Sequence, residues 1–361
     1  MTEMTFRMGE LFSGPGGMAL GAHRAAATSG VNLTHAWAND YDADTCDTYR
    51  RNIPGATADS VIHQNVHDLD VDGLPEIDGF AFGFPCNDYS LVGEWKGLDG
   101  HFGPLYTYGV RVLASHTPKW FVAENVSGLR GANEGRAFRQ ILDHLQRPAD
   151  GLRYRLVPHL YSFDEYGVPQ RRKRIVIVGI RDDQDVHFRV PAPLNRGDER
   201  IVTAGFALTH PRMTGDLPNH EYTRQSPQVV ERLAHILPGE NAFTARLPEH
   251  LKINTRATLS QVYKRLREDQ PSYTVTGGGG GGTHVYHWNE PRALTNRERA
   301  RLQSFPDDFV FSGSRGSVRK QVGMAVPVRG AEAIFTALFK SFQGSDYPSV
   351  PASMSDLVVA G

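Results

Sequence analysis

The chain is predicted to be an α/β protein: an open, mostly parallel sheet with helices on both faces, accompanied by a smaller second domain. Three observations predict this. Strand-like apolar runs alternate with amphipathic helical runs from Phe6 to Ile180, the order that builds parallel sheets. From about Arg181 to Pro291 the periodicity fades while prolines and polar residues become frequent. After Pro291 helical periodicity returns and ends in the apolar run GAEAIFTALFKSF, a helix able to close the sheet.

The elements follow in order. FRMGELFS is a short apolar strand ending in a glycine cluster, and MALGAHRAAATSG is a helix closed by Gly30. LTHAWAND is a strand, ADTCDTYRRNI a helix, and IDGFAFGFPC a strand entering a Gly/Pro turn. KWFVAENV is another strand, and RAFRQILDHLQRP an amphipathic helix stopped by Pro148. RIVIVGI is β-branched and can be buried on both faces. In LTNRERARLQSFP, Thr295 and Glu298 stand in capping-box spacing. The six glycines 277–282 are the one low-complexity stretch, and the tail after Gln343 is expected to be loosely ordered. The expected division is residues 1–180 as the main domain, completed by 318–343, with 181–317 as the second domain and hinge and 344–361 as a flexible tail.

Length agrees with two domains at roughly 100–200 residues each. A 40% hydrophobic and 22% charged composition is enough for a packed core. No run approaches the ~18 consecutive apolar residues of a membrane span, and the opening MTEMTFRMGELFSG has no basic head before an apolar stretch, so neither membrane nor secretory signal is expected. Two cysteines, Cys46 and Cys86, exclude a disulfide scaffold and a cysteine-rich zinc module. A reducing, cytoplasmic setting and no metal are expected. The net charge of −1 is unevenly spread: residues 1–100 carry 5 Lys+Arg against 15 Asp+Glu, 101–180 carry 12 against 6, and 292–330 carry 8 against 3. An acidic first part beside basic later parts suits a small-molecule site next to a polyanion-facing surface; uneven scatter of solvated charge gives the same counts.

Four motifs carry chemistry. In Phe12-Ser13-Gly14-Pro15-Gly16-Gly17 the glycines let the backbone turn tightly before a helix N-terminus and approach a ligand. Asp40 ends the next strand, where an acid can hold ribose hydroxyls; Tyr41 can stack on adenine, and Asp68 can accept from its amino group. These features fit an adenosine-containing cofactor, either a nicotinamide dinucleotide or S-adenosylmethionine. Second, Cys86 lies on a Pro-fixed turn, Gly83-Phe84-Pro85-Cys86-Asn87-Asp88-Tyr89-Ser90, at a strand's carboxyl end. There a thiolate is placed to act as a nucleophile, although a lone cysteine is often only a small buried hydrophobe. Third, Glu124-Asn125-Val126 follows a strand, and a partly dehydrated carboxylate there can serve as an acid. Fourth, Gln170-Arg171-Arg172-Lys173-Arg174 puts four cations before a buried strand, either a solvated basic loop or a contact for phosphates and bases.

Taken together, the order and spacing of these segments resemble the DNA cytosine-5 methyltransferases. FSGPGG, GFPCNDYS, ENV, GVPQRRKRIVIVG, RALTNRERARLQSFPDDF and QVGMAVPV match successive family motifs over about Arg7 to Phe342. The resemblance implies a Rossmann-like S-adenosylmethionine-dependent methyltransferase fold with a smaller target-recognition domain. It implies Cys86 as the nucleophile on carbon 6 of a flipped cytosine, Glu124 as the acid on ring nitrogen 3 and the exocyclic amine, and Arg172 and Arg174 holding the O2 side of the ring and nearby backbone. It assigns Phe12, Gly14, Gly16, Gly17, Asp40, Tyr41, Asp68, Pro85 and Leu105 to a pocket for S-adenosyl-L-methionine. Ser90, Gln170, Arg171, Thr274 and Gly277 are expected to contact DNA, although Gln170, like Asn125, also suits a scaffold role. Tyr273-Thr274-Val275 and the glycines after it resemble a feature of the recognition region, where glycines let a loop approach DNA; a flexible linker has the same composition.

The expected partners are double-stranded DNA and a cognate restriction endonuclease, with the chain as a monomer. Asn87 and Tyr89 depart mildly from the family pattern. Met324 stands where the family carries Asn, which removes a polar side chain near the donor and leaves the exact donor or transferred group open. A related enzyme acting on tRNA, one using a modified donor, a catalytically inert DNA-binding regulator, and a nicotinamide dehydrogenase remain as competing readings.

Overall fold

The structure is a computed structural model and describes residues 4–85, 104–194, 201–253, 261–278 and 282–358. The chain forms two compact units: unit 1 takes residues up to Ser162, Lys173–Pro193 and everything from Gly330, and unit 2 takes Phe163–Arg172 and Leu194–Arg329.

Unit 1 is built on strands β1 (Thr5–Leu11), β2 (Asn32–Asp40), β3 (Val61–His63), β4 (Gly79–Gly83), β5 (Trp120–Val126), β6 (Tyr154–Ser162) and β7 (Lys173–Arg181). They form one sheet in the order β3-β2-β1-β4-β5-β7-β6. The pairs from β3 through β5 are parallel, and β7 runs antiparallel to both β5 and β6. The sheet is therefore mostly parallel, as expected. Chain order reverses between β1 and β4, and open sheets bind ligands beyond the carboxyl ends of the strands at such a point. Strand β7 is buried along Ile175–Ile180, as its β-branched run requires. Edge strand β6 was not legible as a strand because Pro158 interrupts it, and an edge is where a sheet tolerates proline.

The helices are α1 (Gly17–Ser29), α2 (Ala43–Asn52), α3 (Tyr106–His116), α4 (Arg136–Gln146), α5 (Ala204–Thr209), α6 (Pro227–Ala234), α7 (Asn296–Leu302), α8 (Arg315–Met324) and α9 (Val328–Phe342). Helix α4 buries Phe138, Ile141, Leu142 and Leu145, the i, i+3, i+4, i+7 stripe of an amphipathic helix. These side chains join Phe80, Phe82 and Phe121 from the sheet and Val112 and Leu113 from α3 in one apolar cluster. On the other face, Phe6 stacks on Phe339 of α9, and Trp120 meets Phe335 and Phe339 edge-on. Each such fully buried side chain contributes about 1.5–3 kcal/mol.

Two boundaries differ from the sequence-based division. Phe163–Arg172 and α8 belong to unit 2, although both were expected in the sheet domain. The tail is not loose over residues 344–358: Ser349–Val350 (β9) pairs with Val190–Pro191 (β8), Ser353 Oγ accepts from Leu160 N–H, and Met354 is fully buried in the sheet cluster. Its polar composition concealed two anchors, Tyr347 and Met354. The stretch Arg315–Phe342, apolar enough by composition to cross a bilayer, is divided into α8 and α9 and is mostly buried.

Unit 2 holds its loops with arginines more than with ladders. The buried Arg265 donates to the carbonyls of Leu233, Ile236, His287 and Trp288, and Arg297 to those of Pro218, Pro306 and Phe309. A planar guanidinium with five donors can satisfy several loop carbonyls that no strand would pair. This is why hydrophobic periodicity fades here although a core remains around Leu233, Ile236, Val262 and Tyr286. The Thr295/Glu298 capping box is present at α7.

Candidate active site

The glycine turn follows β1 directly. Phe12 has φ 52° and Gly14 φ 54°, both left-handed, and Gly16 caps α1 at φ 94°. A side chain at Gly16 would also strike Ile53 and Tyr49, whereas the Cβ direction of Gly14 is open. Asp40, at the end of β2, shapes this turn: Oδ2 accepts from Gly14 N–H at 3.0 Å and Oδ1 from Asp42 N–H at 3.0 Å. Burial pushes the Asp40 carboxyl above its usual range, opposed by those amides. Each oxygen keeps further acceptor capacity. Tyr41, next in the chain, is 59% exposed, an aromatic ring presented to solvent beside a buried carboxylate. Asp68 is exposed and ends a short 3₁₀ turn after β3. Gly17 begins α1 and is buried. Leu105 precedes α3 and packs against the sheet cluster.

Glu124 lies near the end of β5, in register with Gly83 of β4. Arg174 of β7 pairs with it, Nε to Oε1 at 2.8 Å, with both side chains largely shielded. A Cβ placed on Gly83 would sit 3.4 Å from Glu124 Oε2, so glycine leaves room for this carboxylate. The neighbouring Asn125 is buried and donates from Nδ2 to the carbonyl of Phe84 at 2.8 Å. It thereby anchors the turn leading to the exposed Pro85. Cys86 and Ser90 lie outside the described residues.

In unit 2, Arg172 is only 2% exposed; its guanidinium donates to the carbonyls of Val275 (3.1 Å) and Gly323 (3.2 Å). Gln170 is fully buried, its amide spent on Leu302 O, Gln303 Oε1 and Val275 N–H. No polar atom of this side chain reaches the surface. Arg171 is exposed, and its carbonyl accepts from Thr274 Oγ1 at 2.8 Å. Gly277 packs against α8, where a Cβ would come 3.1 Å from Lys320 Cα, and a Cβ on Gly323 would come 2.0 Å from Gly277 N. Met324, at the end of α8, is exposed. Arg174 is thus the arginine that pairs with Glu124 within the sheet unit.

The family model for C-5 cytosine-specific DNA methylases matches residues 6–340. The chain belongs to that family. It is 56% identical over 357 residues to the Type II methyltransferase M.BbvI of Brevibacillus brevis, covering 96% of this chain and 94% of that one. It is 38% identical to M.NgoFVII of Neisseria gonorrhoeae over 92% and 86% of the two chains. Among solved structures, a candidate DNA modification methyltransferase encoded in an Escherichia coli prophage superposes with a TM-score of 0.70 at 21% identity, covering 93% and 99%. The protein is thus a DNA cytosine-5 methyltransferase by family, with the α/β fold of these enzymes.

One residue of this methylase escaped the sequence reading. Glu10, two residues before Phe12, is fully buried and accepts from Tyr49 Oη at 3.0 Å, while its Oε1 has no hydrogen-bond partner. Burial raises its pKa to about 8; the Tyr49 hydroxyl opposes this and the Asp40 charge adds to it. The available signal was a carboxylate in the buried end of β1, between Gly9 and Leu11.

Proposed function

We propose that this methylase acts on double-stranded DNA, extrudes a target cytosine and methylates its carbon 5 through a transient bond to Cys86. The observation that carries the proposal is the Glu124–Arg174 pair, in register with Gly83, three residues before Cys86. That register supports a base carboxylate and a thiol at the carboxyl ends of adjacent strands. Carbon 6 is out of reach inside a duplex, so the base must leave the stack.

In this reading the Cys86 thiolate forms an Sγ–C6 bond and the displaced electron pair makes carbon 5 nucleophilic. Glu124 holds ring nitrogen 3 and the exocyclic amine and supplies the proton that nitrogen 3 takes up during attack. Arg174 fixes the carboxylate and borders the O2 side of the ring. After carbon 5 is methylated, the proton on nitrogen 3 returns to Glu124, the carbon 5 proton is lost to base, and the Sγ–C6 electron pair leaves with sulfur, restoring the aromatic ring and the thiolate. Arg172 is a positioning residue that ties Val275 and Gly323 together.

The residues at the glycine turn fit S-adenosyl-L-methionine. The open Cβ direction of Gly14 leaves room for close approach, the buried Asp40 suits ribose hydroxyls, and the exposed Tyr41 suits an adenine face. Phe12, Gly16, Gly17, Asp68, Pro85 and Leu105 complete that pocket. When bound, this group supplies the methyl as a sulfonium. The Type II names of the relatives support a cytoplasmic role beside a cognate restriction endonuclease. Bisulfite sequencing of DNA from cells expressing the protein is expected to show protected cytosines in one recurrent motif, absent with Cys86→Ser. Unprotected DNA with the active wild-type protein, or equal protection with the variant, contradicts the proposal.

A further inference from the structure

Unit 2 contains a cavity of about 300 Å³ whose wall includes Arg171, Gln261, Lys264, Gln270, Tyr273 and Thr274. Its cations fall into two groups. Two are already committed: Arg265 to backbone carbonyls, and Arg267 to Asp269 through two hydrogen bonds. The other two, Arg171 and Lys264, have no carboxylate within ion-pair distance among the described residues. The Lys264 ammonium lies 5.1 Å from the centre of the Tyr273 ring, and the Tyr273 hydroxyl donates to the Lys264 carbonyl at 2.8 Å. Both ends of the lysine are therefore tied to one aromatic residue. Arg171 is fixed in the same way at its backbone, donating to Ser272 O and accepting from Thr274 Oγ1, each at 2.8 Å.

Two cations without a carboxylate partner among the described residues, on a pre-positioned backbone and with Gln261 and Gln270 on the same wall, make a concave site for an anion. The cavity is larger than a phosphate needs, so an attached sugar can enter. We infer that this cavity holds one phosphodiester of the DNA backbone, with Lys264 and Arg171 on its oxygens and Gln261 and Gln270 against the sugar. The inference rests on the DNA reading above and adds to it an anchor that is independent of sequence. Phosphate contacts fix register on the duplex and carry no base information.

The test measures binding of the full-length protein to two duplexes of unrelated sequence as a function of salt. Lys264→Gln is expected to lower affinity equally on both duplexes and to reduce the slope of log Kobs against log salt by about 0.9, with the Lys264/Arg171 double glutamine variant reducing it by about 1.8. Lys264→Arg is expected to restore the slope. Lys252→Gln, which removes an exposed lysine paired with Glu249, is expected to leave it unchanged. Thermal melting of each variant checks the fold. If the wild-type protein binds DNA but Lys264→Gln leaves the slope unchanged, or weakens one duplex only, the inference fails and the methyltransferase reading stands. If the wild-type protein binds no DNA, that reading fails first. A melting shift with inorganic phosphate that is lost in Lys264→Gln, without a change in DNA slope, assigns the cavity to a free anion and overturns the inference.

Discussion

Glu10 shows how one residue can tie the stability of the strand before the glycine turn to pH. Its folded-state pKa, about 8, lies above the ordinary glutamate value, so the native state holds a proton that the unfolded chain releases. The resulting stability is fully present below the unfolded pKa, near 4.5, and is lost as pH rises towards 8, at up to about 1.4 kcal/mol per pH unit. Glu10→Gln keeps an acceptor for Tyr49 and removes the titration. Chemical unfolding at pH 5.5 and 7.5 should show the wild-type protein losing stability relative to this variant; parallel behaviour would count against the assignment. At this scale the sequence was partly legible. Asp40 and Glu124 could be picked out because they end strands, where a carboxylate has a plain chemical use. Arg172 and Arg174 could not be told apart, because two residues of spacing does not say which of them bends back into a loop core. Gln170 looked available because its neighbours are charged, yet side-chain burial is set by segments more than a hundred residues away.

At the scale of elements, the strand and helix order of unit 1 was readable from periodicity, since a sheet between two helical layers imposes a repeat on every segment. Strand β6 was hidden by Pro158, and the loops of unit 2 carry no repeat because buried guanidiniums do the work of ladders. The glycine run is informative in a different way: Gly323 of α8 and Gly277 approach each other backbone to backbone, with no space for a Cβ. Overpacking of this kind costs about 1–3 kcal/mol, and more where backbone must move. Gly323→Ala is therefore expected to destabilise the protein by about 3 kcal/mol, measured as a lower denaturant midpoint. An unchanged midpoint would show that the close approach does not exist in solution.

Across the whole molecule, the chain weaves between units: Phe163–Arg172 leaves the sheet between β6 and β7, and the C-terminal segment returns to it through β9 and Met354. Composition suggested a free tail, since two buried side chains, Tyr347 and Met354, among polar residues leave no periodic signal. Met354→Ala should cost about 2–5 kcal/mol, read as a lowered melting temperature of the full-length protein; a change within error would return the tail to the solvent. The match across residues 6–340 places the chain in its family, and the covalent role of Cys86 is the central claim of the proposed reaction. The most direct measurement of that role is denaturing electrophoresis and peptide mapping of the protein incubated with S-adenosyl-L-methionine and a randomised duplex library carrying 5-fluorocytosine. Because the fluorine at carbon 5 cannot leave as a proton, the account predicts a stable protein–DNA adduct on the peptide containing Cys86, absent with Cys86→Ser. An active wild-type preparation that forms no adduct, or one mapped to another residue, contradicts it.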